Sequence, residues 1–393
     1  MPRTPQKVVE LHLCREPQFP IPKDVSIDKY KHDVRDWRSV TPSKWLEELA
    51  TAREAENHAY LAKLCAAVAV STLQGCLHGF VASAVSDFRS GVAEAQAVRH
   101  DCFHISDPIS VGFTFPPEPV PRAMPAGGRR ASQLRCFDGV HPIDVLLQLE
   151  DRTSGSSMAM LHFVPEGEPL GLLPNLAAGP EVESLTLRTN FFQAIEGVDR
   201  HLHCPATHLL DHEGGVICSS NVAILRGDAS TGFRWLDHIA RFDVFTISLP
   251  RHPGVDKWGR YSSEDARELV RQRVQLAFAV AAARGVEVLV SSPLGLSRNC
   301  KHPPLEIADI LHKAACNHML TFDVIAVASA SPVHSGQWWT EFANAFRFGR
   351  PPIDFGDPVY DVHAYANVLP FVKFQKQKPA VVPAPRELRR TFL

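Results

Sequence analysis

A group of histidines around one Asp-His pair is the part of the sequence whose residue types could bind a metal ion. Asp211 and His212 are adjacent, and His201, His203 and His208 precede them closely. Imidazole and carboxylate groups are common zinc ligands, but this spacing matches no standard zinc pattern. We therefore predict no metal site, and we find no pattern that predicts a cofactor.

The cysteines have no arrangement that favours nucleophilic catalysis or disulfide bonds. The chain has 9 of them and no C-x-x-C pair, which is typical of reduced thiols in a cytosol-like compartment. Cys204 and Cys218 lack a neighbouring base in the sequence, so a nucleophilic role for either is unsupported.

Charge and hydropathy exclude several partner classes. Lysine and arginine number 41 against 43 aspartates and glutamates, a net charge of -2, which argues against nucleic acid and anionic membrane as partners. Met1 to Glu10 lack the apolar segment of a secretory signal, and the apolar stretch Leu64 to Leu73 is too short to span a bilayer. We expect a cytoplasmic or cytoskeletal protein.

Composition divides the chain into one domain and two arms. Prolines predict an extended N-terminal arm over residues 1–40, and a proline-rich, phenylalanine-containing stretch predicts an extended C-terminal arm over 331–393. These arms either dock on this domain or a partner, or form disordered tails. The domain, 41–330, comprises a helical part (41–106), a loop (107–131) and an α/β core (132–330).

Local patterns predict the elements that must position any site. A helical stretch from Ser43 to about Phe88, as one helix or two, follows Thr41-Pro42. Gly214-Gly215 indicates a hairpin turn, and Trp338-Trp339 a packing anchor. In the core we predict strands at 158–164, 243–249, 286–290 and 323–328, and helices from a Ser262/Asp265 capping box to Ala283 and from Pro303-Pro304 to about Cys316. Strands separated by such helices predict an α/β fold with a mostly parallel sheet covered on both faces.

Three segments, in this order and spacing, resemble the microbial-type poly(ADP-ribose) glycohydrolases, a macrodomain family. The strongest is 243–328, in which a strand, a loop, a helix containing Arg273 and a second strand precede His302-Pro303-Pro304 and another helix. The others are 209–226, with Ser219-Ser220-Asn221-Val222, and 160–192, which contains His162, Gly171, Glu183 and Arg188. The resemblance covers about residues 135–330 and implies a macrodomain-like three-layer sandwich.

The resemblance also implies a reaction and one candidate catalytic residue. Family members bind ADP-ribose at the carboxyl ends of the strands, where a glutamate acts as general acid at the ribosyl bond. Glu183 matches that glutamate, and counting from Pro169 instead makes Glu181 its rival. Val182 stands where the first family glutamate would be. From the residues alone, Glu183 more simply fits a solvated acid in the first turn of a helix.

The predicted ligand-binding residues are the remnants of two glycine loops that cradle the diphosphate in the family. Gly171 remains of the first loop, between Leu170 and Leu172, and His162 replaces a strand asparagine. Gly295 remains of the second loop, where Leu296 and Ser297 replace cysteine and glycine and Asn299 stands near an expected aromatic. Either glycine also fits an ordinary turn. On this interpretation the catalytic loop is degraded and the chain is a pseudoenzyme.

Three functions follow from these observations. The first is a non-catalytic, macrodomain-like scaffold or structural subunit of a larger assembly, with protein partners bound through residues 1–40 and 331–393. The second is a reader that binds ADP-ribose or a nucleotide without hydrolysing it. The third is a divergent ADP-ribosyl glycohydrolase that uses Glu183.

Overall fold

The structure is a computed structural model, and it describes most of the α/β core and parts of the flanking sequence. The described residues are 42–55, 64–65, 68–69, 72, 80–82, 102–104, 109–113, 131–150, 156–167, 185–191, 194, 206–212, 214–296, 300–329 and 337–349. The N-terminal arm predicted for residues 1–40 lies outside them. The predicted domain boundaries therefore stay a prediction.

The strands form one large sheet and one two-stranded sheet. Their bounds are β1 Phe80–Ala82, β2 Cys102–His104, β3 Ile109–Phe113, β4 Gln133–Asp138, β5 Met158–Pro165, β6 Val216–Arg226, β7 Trp235–Leu249, β8 Val288–Ser291 and β9 Val324–Ser329. The large sheet has 7 strands in the order β3-β6-β7-β5-β8-β9-β4. Strands β7, β5, β8, β9 and β4 pair in parallel, whereas β3-β6 and β6-β7 are antiparallel. The predicted α/β class with a mixed, mostly parallel sheet is confirmed.

Helices cover both faces of this sheet. Among the described residues they are α1 Pro42–Glu54, α2 Pro142–Glu150, α3 Ala206–Asp211, α4 Glu264–Ala283, α5 Pro304–Asn317 and α6 Gln337–Phe348. Helices α4, α5 and α6 bury apolar side chains against one face, and α2 and α3 against the other. All residues of β5 are buried, because alternate side chains of this strand enter the two cores.

The ends of α4 follow from its capping residues. Ser263 is the N-cap, and its side chain accepts a hydrogen bond from the backbone N–H of Ala266 at 3.4 Å. The predicted capping residue, Ser262, was wrong by one position. Gly285 ends the helix as predicted, with a positive φ of 76° that glycine adopts without strain. Helix α5 begins at Pro304, also as predicted.

Two predictions for the N-terminal half of the chain were wrong in part. The predicted helical stretch from Ser43 contains α1 and the helical residues 64–65, 68–69 and 72, but it does not reach Phe88, because Phe80–Ala82 forms β1, paired with β2. The predicted loop 107–131 contains β3, which pairs antiparallel with β6 through alternating apolar residues. The prolines and glycines that follow β3 hid this short pattern.

The hairpin predicted at Gly214-Gly215 was also wrong. Gly214-Gly215 instead link α3 to β6, which is continuous from Val216 to Arg226 and shifts register between Ser219 and Val222. Asn221 adopts a φ of 63° in this bulge. The hairpin of this region joins β6 to β7 through a turn at 229–231, where the side chain of Asp228 accepts a hydrogen bond from the Thr231 N–H.

Part of the predicted C-terminal arm is a helix. Helix α6 buries Trp339, Phe342 and Phe346, whose spacing places them on one helical face. The ring of Trp339 stacks on that of Phe342 at 5.6 Å, which fits its predicted role as a packing anchor. The extended conformation predicted for 331–393 is therefore wrong at 337–348, because this amphipathic turn pattern outweighs the prolines around it.

Candidate functional site

The predicted crevice residues lie towards one edge of the sheet, where the parallel strands end. The backbone pairs Pro165 of β5 with Leu249 of β7, and Ser291 at the end of β8 with Val327 of β9. His162 lies near the end of β5, and Gly295 and Leu296 follow β8. The remaining predicted site residues lie outside the described part of the chain, namely Gly171, Ser297, Asn299, Glu183 and the rival Glu181.

His162 is enclosed by the protein. Its side chain is 5% exposed, its Nδ1 lies 3.3 Å from Oγ1 of Thr246, and its ring meets that of Phe191 edge-on at 5.5 Å. Burial lowers the pKa of His162 from 6.5 to about 4, so the ring is neutral at physiological pH. The His162 side chain thus makes its contacts within the fold.

The burial of His162 predicts a pH-dependent stability. Because the folded-state pKa is depressed, the unfolded chain binds more protons below pH 6.5, and stability is lost as the pH falls towards 4. We expect His162 to account for about 2 kcal/mol of lost unfolding free energy between about pH 7.5 and about pH 5. Urea unfolding at both pH values should show this difference shrinking by that amount in His162→Asn. An equal pH dependence in both proteins would contradict the assignment.

Gly295 is required by the backbone and by the side chain beside it. Its φ is +70°, and a Cβ at this position would lie 2.4 Å from Cδ2 of His302. The backbone N–H of His302 donates to the carbonyl of Gly295 at 3.0 Å, and Leu296 packs against the core formed by α4 and α5. The fold therefore supplies its own reason for glycine at this position.

His302 joins the loop after β8 to the loop after β7. Its Nε2 lies 2.8 Å from the carbonyl oxygen of Pro250, and its Nδ1 lies 2.7 Å from the hydroxyl of Tyr261. Since a carbonyl only accepts, Nε2 carries the proton and Nδ1 accepts from the Tyr261 hydroxyl. Burial lowers the pKa of His302 to about 4 and raises that of Tyr261, which keeps both groups neutral. The backbone N–H of His252 also donates to the carbonyl of Cys300 at 3.0 Å.

Arg273 of α4 ties three segments together at the same edge of the sheet. The side chain is 3% exposed and donates to the carbonyl oxygens of Ser248 and Asp211 at 2.9 and 2.8 Å. It also forms an ion pair with Glu166, directly after β5, at 2.8 Å. A groove of about 600 Å³ lies beside these groups, between Arg273, Asp211 and the outer side of α4. The charge of the guanidinium in its wall is already balanced by Glu166.

The metal-site hypothesis gains no support at Asp211. Its Oδ1 accepts from the hydroxyl of Ser248 at 2.5 Å, and its Oδ2 accepts from the backbone N–H of Gly167 at 2.9 Å. His201 and His203 lie outside the described residues. Within the described ranges, no group of three or more His, Cys, Asp or Glu side chains is placed to hold a metal ion.

Arg188 and Cys218, both considered in the sequence analysis, are buried within the fold. Arg188 is 1% exposed and forms a bidentate ion pair with Asp144 at the start of α2. Its Nε donates to the carbonyl oxygen of Arg226 at 3.1 Å. Cys218 is fully buried in β6, where desolvation raises the pKa of its thiol to about 11. A thiol in this state is a poor nucleophile.

Sequence reasoning missed Tyr261 and Ser248 as partners at this edge. Tyr261 lies in an irregular loop before α4, and Ser248 is a polar residue between Ile247 and Leu249 near the end of β7. Neither belongs to a periodic pattern or a motif. Only contacts between segments distant in the sequence bring Tyr261 to His302 and Ser248 to Asp211.

Known structures are similar to this chain in fold. The poly(ADP-ribose) glycohydrolase of Thermomonospora curvata matches with a TM-score of 0.53 and 18% identity, over 72% of this chain and 97% of that protein. The Deinococcus radiodurans poly(ADP-ribose) glycohydrolase, solved in complex with ADP-ribose, gives a TM-score of 0.42 at 17% identity over 56% of this chain and 84% of the other.

No protein-family model matches the chain, and no curated protein matches it. The first structural match shows that this chain shares the macrodomain-like α/β fold of a bacterial poly(ADP-ribose) glycohydrolase. Separately, no helix in the described part of the chain is long and apolar enough to cross a membrane.

Proposed function

We propose that this chain is a non-catalytic protein with a macrodomain-like fold, and that it acts as a scaffold or structural subunit of a larger assembly. Its protein partners would bind its surfaces and the sequences that flank the α/β core, 1–40 and the part of 331–393 beyond α6. The macrodomain-like fold supplies the rigid body, and the function would lie in what that body holds together.

One observation carries the proposal: the loop after β8 is bonded to this chain's own groups. In the resembling family, a glycine loop at this place presents backbone N–H groups to a diphosphate, which requires open space beside it. Here the ring of His302 lies against Gly295, Nε2 and Nδ1 of that ring are both hydrogen-bonded, and Leu296 packs on the core. These contacts support a loop that stabilises the fold.

The surroundings of His162 add to this support. A polar group that binds substrate must reach it, whereas His162 is buried against Phe191 and Thr246. Nδ1 of its neutral ring lies 3.3 Å from the hydroxyl oxygen of Thr246. The strand position that carries an asparagine in the family is therefore used for packing in this chain.

The proposal predicts that the purified chain neither binds nor hydrolyses ADP-ribose compounds. Calorimetry with ADP-ribose at about 1 mM should give no binding heat. At this concentration even a ligand that binds with only about -4 kcal/mol would half-saturate its site. Incubation with poly(ADP-ribose) should release no ADP-ribose. Binding without release would instead support the reader hypothesis, and release abolished by Glu183→Gln would support the glycohydrolase hypothesis.

The scaffold role itself is tested by isolating the protein at native levels. We expect a stable complex in which the chain and its partners are stoichiometric on size-exclusion chromatography. Deletion of 1–40, or of 350–393 so that α6 remains packed against the core, should release partners without unfolding the domain. A chain that elutes as a monomer without a stable partner would refute the proposal.

A further inference from the structure

Helix α5 carries a thiol and an imidazole one turn apart, beside the end of α6. Sγ of Cys316 lies 3.4 Å from Nε2 of His312, four residues earlier in the helix. Residues at this spacing lie above one another on a helix surface, so the helix itself sets the approach. Cys316 is exposed.

The carbonyl of Phe346 in α6 fixes the state of the imidazole. Nδ1 of His312 lies 2.7 Å from that oxygen, which can only accept, so Nδ1 carries the proton. Nε2 is then the free acceptor, and it faces the thiol. A nucleophile, a base and a group that orients the base are thus in place, which is the arrangement that activates a cysteine.

We propose that Cys316 is a modification site, a thiol activated by His312 that reacts with hydrogen peroxide and comparable soft electrophiles. The thiol proton passes to Nε2, and the thiolate attacks one peroxide oxygen as the O–O bond breaks. Sulfur is oxidised by two electrons to the sulfenic acid, and the departing hydroxide takes the proton from Nε2 and leaves as water. The inference stands apart from the scaffold proposal, since it requires neither a partner nor ADP-ribose.

The four other cysteines whose side chains the structure describes differ from Cys316 in their surroundings. Cys65, Cys218 and Cys300 are buried, and Cys136 is partly buried. Desolvation raises the pKa of Cys136 and of Cys218 to about 11, which suppresses the reactive thiolate. In the described part of the chain, no further His, Cys, Asp or Glu joins His312 and Cys316 in a metal-binding group. Reaction with a small diffusing electrophile is therefore the chemistry that this exposed pair fits.

The test measures how fast Cys316 reacts in the intact, folded chain. Iodoacetamide labelling near neutral pH, followed by peptide mass spectrometry, gives the rate for each cysteine, and the same chain in urea gives the rate of the unactivated thiol. A free cysteine is only a few per cent thiolate near pH 7, so activation can raise the rate by up to roughly thirtyfold. We expect folded Cys316 to react roughly tenfold faster than in urea. After peroxide treatment, we expect dimedone, which traps sulfenic acids, to label Cys316 before the other cysteines.

Two variants on the same helix separate activation from exposure. His312→Gln removes the base and should lower the labelling rate of Cys316 to about the unfolded value. Lys313→Gln is the comparison, because it removes a cation three residues before Cys316 and leaves the imidazole in place, so it should lower the rate much less than His312→Gln does. Folded Cys316 reacting no faster than in urea would overturn the proposal without any variant. So would an unchanged rate in a folded His312→Gln protein.

Discussion

The substitution Gly295→Ala is expected to lower the free energy of unfolding by about 3 kcal/mol. A φ of +70° costs an L-residue about 1–2 kcal/mol, and forcing a methyl group into filled space costs about 1–3 kcal/mol more. The new Cβ would lie 2.4 Å from Cδ2 of His302. That ring cannot turn away cheaply, because Pro250 and Tyr261 hold its two nitrogens. Urea unfolding of the two proteins measures the difference.

Gly139 provides a matched control for the backbone term. Its φ is +69°, nearly that of Gly295, but no atom lies within 4 Å of an added Cβ. Gly139→Ala should therefore cost about 1 kcal/mol, the backbone penalty alone. The double variant Gly295→Ala/His302→Ala should lose less unfolding free energy than the sum of the two single-variant losses, because without the ring the new Cβ meets no clash. Equal losses at Gly295 and Gly139 would show that the histidine does not fill this space.

The central strands could be predicted from the sequence because their signals are local. Strands β5, β8 and β9 and the second half of β7, 243–249, are short apolar runs, and α4 and α5 have capping residues at their ends. Strand β3 and helix α6 were missed because each is one amphipathic segment inside a proline-rich stretch, and its burial depends on a distant partner. The average composition of a sequence window contains no information about the pairing of β3 with β6.

The crevice residues could be named from order and spacing, but their surroundings could not. The resemblance points to His162 and Gly295, and both lie towards the predicted edge of the sheet. What these residues touch depends on contacts between remote segments, such as Tyr261 with His302 across 41 positions and His162 with Thr246 across 84. The sequence contains no signal of such a hydrogen bond, so a degraded binding loop and a loop rebuilt for packing look alike in it.

Replacing the buried Arg273 should destabilise the protein more than any other single change considered above. We expect Arg273→Met to cost about 3–5 kcal/mol of unfolding free energy, because each buried carbonyl oxygen left without its donor costs about 1–3 kcal/mol. Methionine fills the volume of the stem, but the carbonyl oxygens of Ser248 and Asp211 lose their donor. Glu166 is 34% exposed and can turn to solvent, so the loss arises mainly from the two carbonyls.

Arg271 offers the comparison on the same helix, two positions earlier. It pairs with Glu268, both side chains are more than a third exposed, and Arg271→Met should therefore cost about 0–1 kcal/mol. Hydrogen exchange gives a second measurement, since loss of Arg273 should speed exchange in the segments it joins, 166–167 and 206–212. If both variants were equally stable, the backbone alone would hold these segments. The edge of the sheet would then owe its rigidity to strand pairing.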